Sequence, residues 1–256
     1  MSNPQIPQNL DLSGKSILIT GATSGLGHHF ATIMSAAGAR VIVTGRRVDR
    51  LEALCAEIDG AGGQAVPYAL DVTDLDQINH VTEAAERECG AIDVLVNNSG
   101  MNLEGFALEV SESDYDAIMA TNVKGAFFMA QTVGRRMVAR EAGSIINIAS
   151  VGALSVLPGL ALYCMSKASV AMMTRSLARE WARAKVNVNA VCPGYIETEL
   201  NSEWFNSDGG LKQIKSWPRR RLMDIESLDG LMLFLASDAG KYTTGSVMKV
   251  DDGQYI

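Results

Sequence analysis

Short apolar segments alternate with longer amphipathic ones along almost the whole chain. Unbroken runs of apolar and β-branched residues predict strands at 15–20, 40–44, 65–70, 92–96, 144–149, 186–192 and 246–250. Helical periodicity predicts helices at 25–37, 48–58, 74–89, 113–140, 162–183 and 226–236, with residues 195–222 irregular. Such alternation is typical of a parallel sheet covered by helices on both faces. The pattern therefore predicts a polar leader at 1–13 and one doubly wound α/β domain at 14–256.

Composition narrows the class of protein. The chain has 256 residues and a net charge of −7, which disfavours a nucleic-acid-binding surface. No apolar run approaches the ~20 residues of a membrane span, and the first residues lack the apolar core of a signal peptide. Four scattered cysteines and three histidines show no metal-ligand spacing, so we expect reduced thiols, no metal site and a cytoplasmic location.

A glycine-rich turn follows the first predicted strand. Glycines there let the backbone approach a pyrophosphate, and the next helix directs its N-terminal N–H groups at the phosphates. The spacing G-x-x-x-G-x-G differs from the usual dinucleotide fingerprint, and a strand-to-helix turn without a ligand would use similar residues. The candidate cofactor contacts in this turn are Gly21, Thr23, Ser24, Gly25, Leu26 and Gly27.

Two arginines follow the second predicted strand, where this kind of fold presents a group to the adenosine ribose. Arg46 and Arg47 stand there without a carboxylate to accept a hydrogen bond from a ribose 2′-hydroxyl. Guanidinium groups suit a 2′-phosphate, so NADP(H) is favoured and NAD(H) is the alternative. Both side chains would also fit the solvated start of a helix.

Polar turns follow the next two strands. Asp71 and Val72 come after the third strand and are candidates to contact the adenine. Asn98, Ser99 and Gly100 follow the fourth strand, so they lie at the same carboxyl edge of the sheet. Ordinary turn chemistry would also account for this second segment.

Tyr163 and Lys167 are four residues apart on a predicted helix and share one face. A nearby ammonium lowers a phenol's pKa, and such a tyrosine exchanges a proton with a ketone or an alcohol. Ser150 ends the fifth strand, where its hydroxyl is placed to bind the substrate carbonyl. Asn122 is followed by Gly125 inside a predicted helix, which favours a local distortion there, although a surface position would also tolerate it.

Together these motifs resemble the short-chain dehydrogenase/reductase family, and in particular its 3-oxoacyl-[acyl-carrier-protein] reductase-like ketoreductases. The resemblance covers about residues 14–253. It rests on TGATSGLG at 20–27, Asp71, NNSG at 97–100, Asn122, Ser150, the Tyr163/Lys167 pair and PGYIET at 193–198, in the family's order and spacing. Ser99 departs from the family, in which alanine is commoner.

The resemblance implies a Rossmann-type fold with a seven-stranded parallel sheet and hydride transfer at the nicotinamide. It implies that Ser150 polarises the carbonyl, Tyr163 is the general acid/base, Lys167 binds the nicotinamide ribose, and Asn122 holds a water. Further cofactor contacts are expected from Pro193, Gly194, Ile196 and Thr198. The helices around 113–140 and 162–183 are expected to form dimer faces, within a homotetramer or else a homodimer.

The substrate is expected above Tyr163, between the segment after Ser150 and the loop after Gly194. The candidate substrate contacts are Ser150, Gly152, Leu154, Tyr163, Tyr195, Leu200 and Trp204. Mostly apolar walls favour a mid-sized hydrophobic ketone or an acyl chain, unless several of these residues pack in the core. Arg219, Arg220 and Arg221 would suit an acidic carrier or a solvated loop equally well.

The leading functional hypothesis is an NADPH-dependent reductase of a ketone or 3-oxoacyl-type carbonyl. The nearer alternative is an NAD-dependent dehydrogenase of a sugar, a sterol or another secondary alcohol. A third class, an inactive nucleotide-binding sensor, is disfavoured because a sensor has no need for a proton donor.

Overall fold

The computed structural model describes residues 10–199 and 201–256, and across them the chain forms one seven-stranded sheet. Every neighbouring pair of strands is parallel, in the spatial order β3-β2-β1-β4-β5-β6-β7. The strands are β1 Ser16–Thr20, β2 Arg40–Gly45, β3 Gln64–Ala69, β4 Val94–Asn97, β5 Gly143–Ile148, β6 Val186–Pro193 and β7 Val247–Val250. The predicted doubly wound parallel sheet is confirmed.

Helices connect successive strands and cover both faces of the sheet. They are α1 Gly25–Ala36, α2 Val48–Gly60, α3 Leu75–Cys89, α4 Glu112–Met119, α5 Ala126–Ala139, α6 Ala161–Trp181, α7 Ser202–Phe205, α8 Asp208–Ser216 and α9 Asp229–Ala236. Within residues 10–199 and 201–256, no helix is both long enough and apolar enough to cross a membrane.

Two apolar layers hold the helices against the sheet. One packs α1, α2 and α9 through residues such as Phe30, Leu51 and Met232. The other packs α3, α5 and α6, with Ile78 and Met129 fully buried against β1 and β4. Because the central strands are buried on both faces, their sequences are continuously apolar, and this is why the strand prediction succeeded.

One predicted helix contains the distortion that the sequence favoured at Asn122, and one segment predicted to be irregular contains helices. The helix expected at 113–140 is interrupted by a π-helical turn at Ala120–Gly125, which separates α4 from α5. The prediction that residues 195–222 are irregular is wrong, because they contain α7 and α8. The helical pattern of α8 is weak in the sequence because Gly209 and Gly210 stand in its first turn. In the structure these glycines pack against Trp204 and the backbone of Phe205.

The strand order reverses at β1, whose neighbours are β2 and β4. Connections from the carboxyl ends of β1 and β4 therefore leave toward opposite faces and open a crevice between them. The residues that follow all of these strand ends meet along that edge of the sheet.

Candidate active site

The turn after β1 and the segment after β4 are held together by hydrogen bonds. The Asn98 side chain donates to the carbonyls of Thr20 (3.0 Å) and Gly21 (3.1 Å). The Thr20 hydroxyl accepts from the backbone N–H of Asn98 and of Ser99. A Cβ on Gly27 would lie 2.5 Å from the Asn98 amide nitrogen, so only glycine fits there. The glycine turn and the NNSG segment thus form one unit.

The shape and donors of this turn fit a dinucleotide pyrophosphate. Gly21 and Gly25 have φ of +67° and +53°, a region that favours glycine. Ser24 starts α1 without a side-chain capping hydrogen bond, so the first-turn N–H groups of α1 are available to an anion. Thr198 lies above the turn, since its Cγ2 would be 3.6 Å from a Cβ on Gly25.

A basic cluster lies beside this turn, at the ends of β1 and β2. Arg47 Nη2 donates to the hydroxyls of Thr23 (2.7 Å) and Ser24 (2.9 Å). Arg46 is largely exposed, and its Nη1 lies 4.0 Å from a carboxylate oxygen of Asp71. Of the two predicted arginines, Arg47 is therefore the one held in place.

An ion pair that sequence reasoning missed links α2 to the loop after β6. Arg50 Nη1 lies 2.9 Å and 3.1 Å from the two carboxylate oxygens of Glu199, and Arg47 Nη1 lies 3.9 Å from one of them. The hydrogen bond and the charge of Arg50 lower the pKa of Glu199. The pair therefore ties the loop that carries Thr198 to α2, next to Arg47.

Asn122 lies in the π-helical turn and is buried, so the surface alternative is wrong. Its Oδ1 accepts from Met101 N–H, and its Nδ2 donates to Met101 C=O (2.9 Å) and to the Ser166 hydroxyl (3.0 Å). Ser166 in turn donates to the Tyr163 carbonyl. Ser166 was missed by sequence reasoning, although a serine on the buried face of a helix was a usable signal. The two residues fix the turn of α6 that carries Tyr163.

Lys167 is 5% exposed, and its Nζ donates to the Ile148 carbonyl at the end of β5 (2.9 Å). The same Nζ lies 5.7 Å from the centroid of the Tyr163 ring. Ser150 is buried and its Oγ accepts from Gly152 N–H. The structure thus brings Ser150, Tyr163 and Lys167 together at the carboxyl end of β5.

The pKa of Tyr163 shifts in the direction opposite to the prediction. Burial raises the pKa of Tyr163 to about 12, and only the hydrogen bond with Ser150 opposes this rise. Burial lowers the pKa of Lys167 to about 8. The expectation that the ammonium lowers the pKa of the phenol is wrong in this structure, because burial raises that pKa and Lys167 makes no opposing contribution. Tyr163 is therefore a protonated phenol at neutral pH, the form that donates a proton.

Fewer apolar side chains than expected are available to contact a substrate. Leu157, Ile196 and Phe205 are buried in the packing, whereas Leu154 is 48% exposed. Gly152 lies against Leu157 and the Cys164 thiol, and a Cβ there would make tight contacts of 3.1 Å and 3.3 Å with them. The predicted substrate contact Leu200 lies outside the described residues, and Trp204 is 45% exposed.

The C-terminal tail is the part of the site that sequence reasoning missed most completely. The ring of Tyr195 stacks on Trp217 (5.4 Å between centroids) and lies 6.3 Å from the ring of Tyr255. Gln254 accepts from Tyr195 N–H through its side chain (2.7 Å). No local pattern pairs residue 195 with residue 255, so only the fold shows this contact.

The tail is also clamped by two of the three arginines at 219–221. Arg219 and Arg221 lie 2.9 Å and 2.6 Å from the Asp252 carboxylate, which lowers the pKa of that carboxyl. Both side chains are paired with Asp252 of the same chain. Neither predicted alternative, an acidic carrier or a solvated loop, therefore describes them.

A parallel sheet with a phosphate-binding turn, and a tyrosine, a lysine and a serine at its carboxyl edge, define a nicotinamide-dependent dehydrogenase or reductase. The family model described as enoyl-(acyl carrier protein) reductase matches residues 21–254. The chain belongs to the short-chain dehydrogenase/reductase family and is an oxidoreductase acting on alcohol or carbonyl groups.

Similar proteins span nearly the whole chain. The 3-oxoacyl-[acyl-carrier-protein] reductase FabG of Thermotoga maritima is 39% identical over 96% of this chain and 99% of its own. Gluconate 5-dehydrogenase of Gluconobacter oxydans is 35% identical over 99% and 98%. A gluconate 5-dehydrogenase from Burkholderia cenocepacia, solved with NADP and tartrate, superposes with a TM-score of 0.92 at 33% identity, over 96% of this chain and 97% of its own.

Proposed function

We propose that this protein reduces a small ketone to a secondary alcohol with NADPH, and that Tyr163 is the proton donor. The observation that carries the proposal is the half-buried phenol of Tyr163, which lies beside Ser150 and Lys167 at the sheet edge that also holds the phosphate-binding turn. Relatives named 3-oxoacyl-[acyl-carrier-protein] reductase and 5-keto-D-gluconate 5-reductase support the direction of the reaction.

The residues divide the chemistry among them. The Ser150 hydroxyl donates a hydrogen bond to the substrate oxygen, and Tyr163 gives that oxygen a proton. Lys167 uses one N–H on Ile148, which leaves its others for the nicotinamide ribose. Asn122 is tied down by Met101 and Ser166 and keeps α6 in register. The bound nicotinamide supplies the hydride.

The other cofactor residues frame the same crevice in this proposal. The turn at Gly21–Gly27, with Thr23, Ser24, Gly25 and Leu26, cradles the pyrophosphate, and Asp71 with Val72 borders the adenine. Asn98, Ser99 and Gly100 lie beside the ribose, and Pro193, Gly194, Ile196 and Thr198 close the nicotinamide end. Gly100 supports this placement, since a Cβ there would lie 3.4 Å from Lys167 Nζ.

The test of the proton donor is Tyr163→Phe. Turnover of a ketone is expected to fall about 10³-fold, because the carbonyl oxygen no longer receives a proton. NADPH binding, measured by fluorescence titration, should stay within about twofold, since the ring remains in place. Tyr242→Phe is the matched control, because Tyr242 is 90% exposed. Retention of more than about a tenth of the activity in Tyr163→Phe contradicts the role.

The proposed preference for NADPH rests on Arg47, which donates to the Thr23 and Ser24 hydroxyls beside the glycine turn and is our candidate to bind the 2′-phosphate. Arg47→Asp is expected to lower kcat/KM for NADPH by about 10²-fold and to change that for NADH little, since a charge-assisted hydrogen bond is replaced by repulsion. Arg46→Asp should act in the same direction, more weakly, because Arg46 is 79% exposed. A wild-type preference for NADH contradicts the NADPH proposal.

The second candidate is an NAD-dependent dehydrogenase of a sugar or another polyol. The names of two relatives, gluconate 5-dehydrogenase and D-threitol dehydrogenase, favour it. Comparing NADPH-driven reduction with NAD-driven oxidation of a matched ketone and alcohol at equal saturation distinguishes the two candidates.

We also infer that residues 14–256 act as one catalytic domain in a cytoplasmic homotetramer. The face of α5 and α6 supports this, since Phe127, Met172 and Met165 are exposed apolar side chains there. Light scattering of the purified protein tests the assembly, and a monomer at micromolar concentration contradicts it.

A further inference from the structure

The Glu199 carboxylate lies between two guanidinium groups at the cofactor end of the site. Its Oε2 is 2.9 Å from Arg50 Nη1 and 3.9 Å from Arg47 Nη1, and its Oε1 accepts from the same Arg50 nitrogen at 3.1 Å. One anion thus approaches both arginines, which stand in the first turn of α2 and just before it. The carboxylate therefore marks a position between them that suits a negatively charged group.

The loop after β6 holds Glu199 at this position. Thr198 N–H donates to Asn201 Oδ1 at 2.8 Å, and Asn201 Nδ2 donates to the Ile196 carbonyl at 2.9 Å. These two hydrogen bonds close a turn around Glu199. Thr198 also lies against the glycine turn, since its Cγ2 would be 3.6 Å from a Cβ on Gly25. The chain therefore presents a carboxylate to the two arginines from a braced segment.

Arg47 connects this anion position to the phosphate-binding turn. Its Nη2 donates to the hydroxyls of Thr23 and Ser24, while its Nη1 is the atom that faces Glu199. In this kind of fold the adenosine ribose lies at the end of β2, where α2 begins. A phosphate on the ribose 2′-oxygen therefore needs the same guanidinium groups that Glu199 engages.

We propose that Glu199 is an internal competitor of the 2′-phosphate of NADP(H), and that Arg50 joins Arg47 in binding this phosphate when Glu199 is displaced. The inference rests on the proposed preference for NADPH and adds two specificity-determining residues to it. A phosphate monoester carries a charge of about −1.5 to −2 near neutral pH, against −1 for the carboxylate, so two arginines favour the phosphate. NAD(H) has only a hydroxyl there and leaves the Glu199 pair intact.

The free-energy cost of displacing Glu199 is small, because the side chains of Arg50 and Glu199 are 41% and 60% exposed. Water and salt screen the attraction between such groups. Removing the competing carboxylate is therefore expected to tighten phosphate binding only about threefold. Removing Arg50 is expected to weaken it about tenfold, since a charge-assisted hydrogen bond is lost and Glu199 stays beside Arg47.

The test measures binding of adenosine 2′,5′-bisphosphate and of 5′-AMP by isothermal titration calorimetry. The two probes differ only in the 2′-phosphate and need no turnover. Glu199→Gln is expected to bind the bisphosphate about threefold more tightly, and Arg50→Gln about tenfold more weakly, with 5′-AMP unchanged in both.

The matched controls make the same changes of charge elsewhere. Glu203→Gln lies in α7, and Arg183→Gln lies just before β6; both residues are exposed, and both variants should leave the two affinities unchanged.

Weaker binding of the bisphosphate by Glu199→Gln, or unchanged binding by Arg50→Gln, overturns the inference. If Arg47→Asp alone removes a wild-type preference for the bisphosphate, the proposed preference for NADPH stands and the inference fails. If wild type binds the two probes equally and Glu199→Gln prefers the bisphosphate, competition by Glu199 is supported and the proposed preference for NADPH is contradicted.

Discussion

The two halves of the site are built in different ways. On the cofactor side, the turn after β1 and the NNSG segment after β4 follow adjacent parallel strands and are bonded through Thr20 and Asn98. On the substrate side, Tyr195, Trp217 and Tyr255 come from three separate segments and meet through ring packing. The first half depends on strand order, whereas the second depends on how the lid, formed by α7 and α8, and the C-terminal tail pack at the edge of the sheet.

The difference teaches where specificity resides. A backbone cradle at a sheet edge has few tolerated variations, because a Cβ on Gly27 would collide with Asn98 and with the Gly21 carbonyl. Aromatic and amide side chains on the lid can be substituted more freely, since each substitution alters contacts with the substrate but not the sheet. Relatives in this family that are named for different activities are consistent with a constant cradle and a variable lid.

The strongest test of the cofactor half is Gly27→Ala. The methyl group is expected to lower the free energy of unfolding by about 1–3 kcal/mol and to abolish measurable NADPH binding, because the turn must move away from Asn98. Gly60→Ala is the matched control, since a Cβ on Gly60 meets nothing within 4 Å. Thermal unfolding and fluorescence titration measure both effects. A Gly27→Ala protein that binds NADPH normally would contradict the rigid cradle.

The variant Asp252→Ala tests whether the substrate half of the site can be disturbed without affecting the cofactor half. Loss of the Arg219 and Arg221 ion pairs should release the tail and raise KM for the ketone about tenfold, with the Kd of NADPH unchanged. Lys185→Ala is the control, because Lys185 forms only an exposed pair with Glu141. Equal effects on ketone and cofactor would show that the two halves are not independent.

Lys167 is buried where the two halves of the site meet, and its lowered pKa is tested by the pH dependence of stability. The pKa of Lys167 is about 8 when folded and 10.5 in the reference state. Below pH 8 both states are protonated, and between these values the unfolded state binds more protons, so stability rises with pH. Between about pH 7 and about pH 9, wild type should gain ~1 kcal/mol of unfolding free energy relative to Lys167→Met. Urea unfolding at several pH values measures the gain, and parallel curves for the two proteins would contradict it.

The smallest expected effect concerns the exposed Glu199 pair. Glu199→Gln should leave thermal stability nearly unchanged, because Glu199 is exposed and its attraction to Arg50 is screened. It should lower KM for NADPH about threefold and leave NADH unchanged, since Arg47 loses a competing carboxylate. Glu203→Gln is the control on the same lid. A rise in KM for NADPH would instead show that the pair holds the lid closed.

Local sequence patterns were sufficient to predict the features that depend on neighbouring residues. Continuously apolar strands, helical periodicity and the Tyr163-to-Lys167 spacing predicted the sheet and the shared helix face. The predicted distortion at Asn122 is present as a π-helical turn. The polar partner Ser166 was overlooked, because its contact with Asn122 joins residues 44 positions apart.

The sequence by itself determined the parallel α/β fold and the residue types that line its carboxyl edge, because strand and helix periodicities are properties of neighbouring residues. Only the tertiary structure decided that burial raises the pKa of the Tyr163 phenol, that Arg47 rather than Arg46 is held in place, and that the ring of Tyr255 lies beside Tyr195. Desolvation and long-range contacts depend on which segments the folded chain brings together, and no short stretch of sequence contains that information.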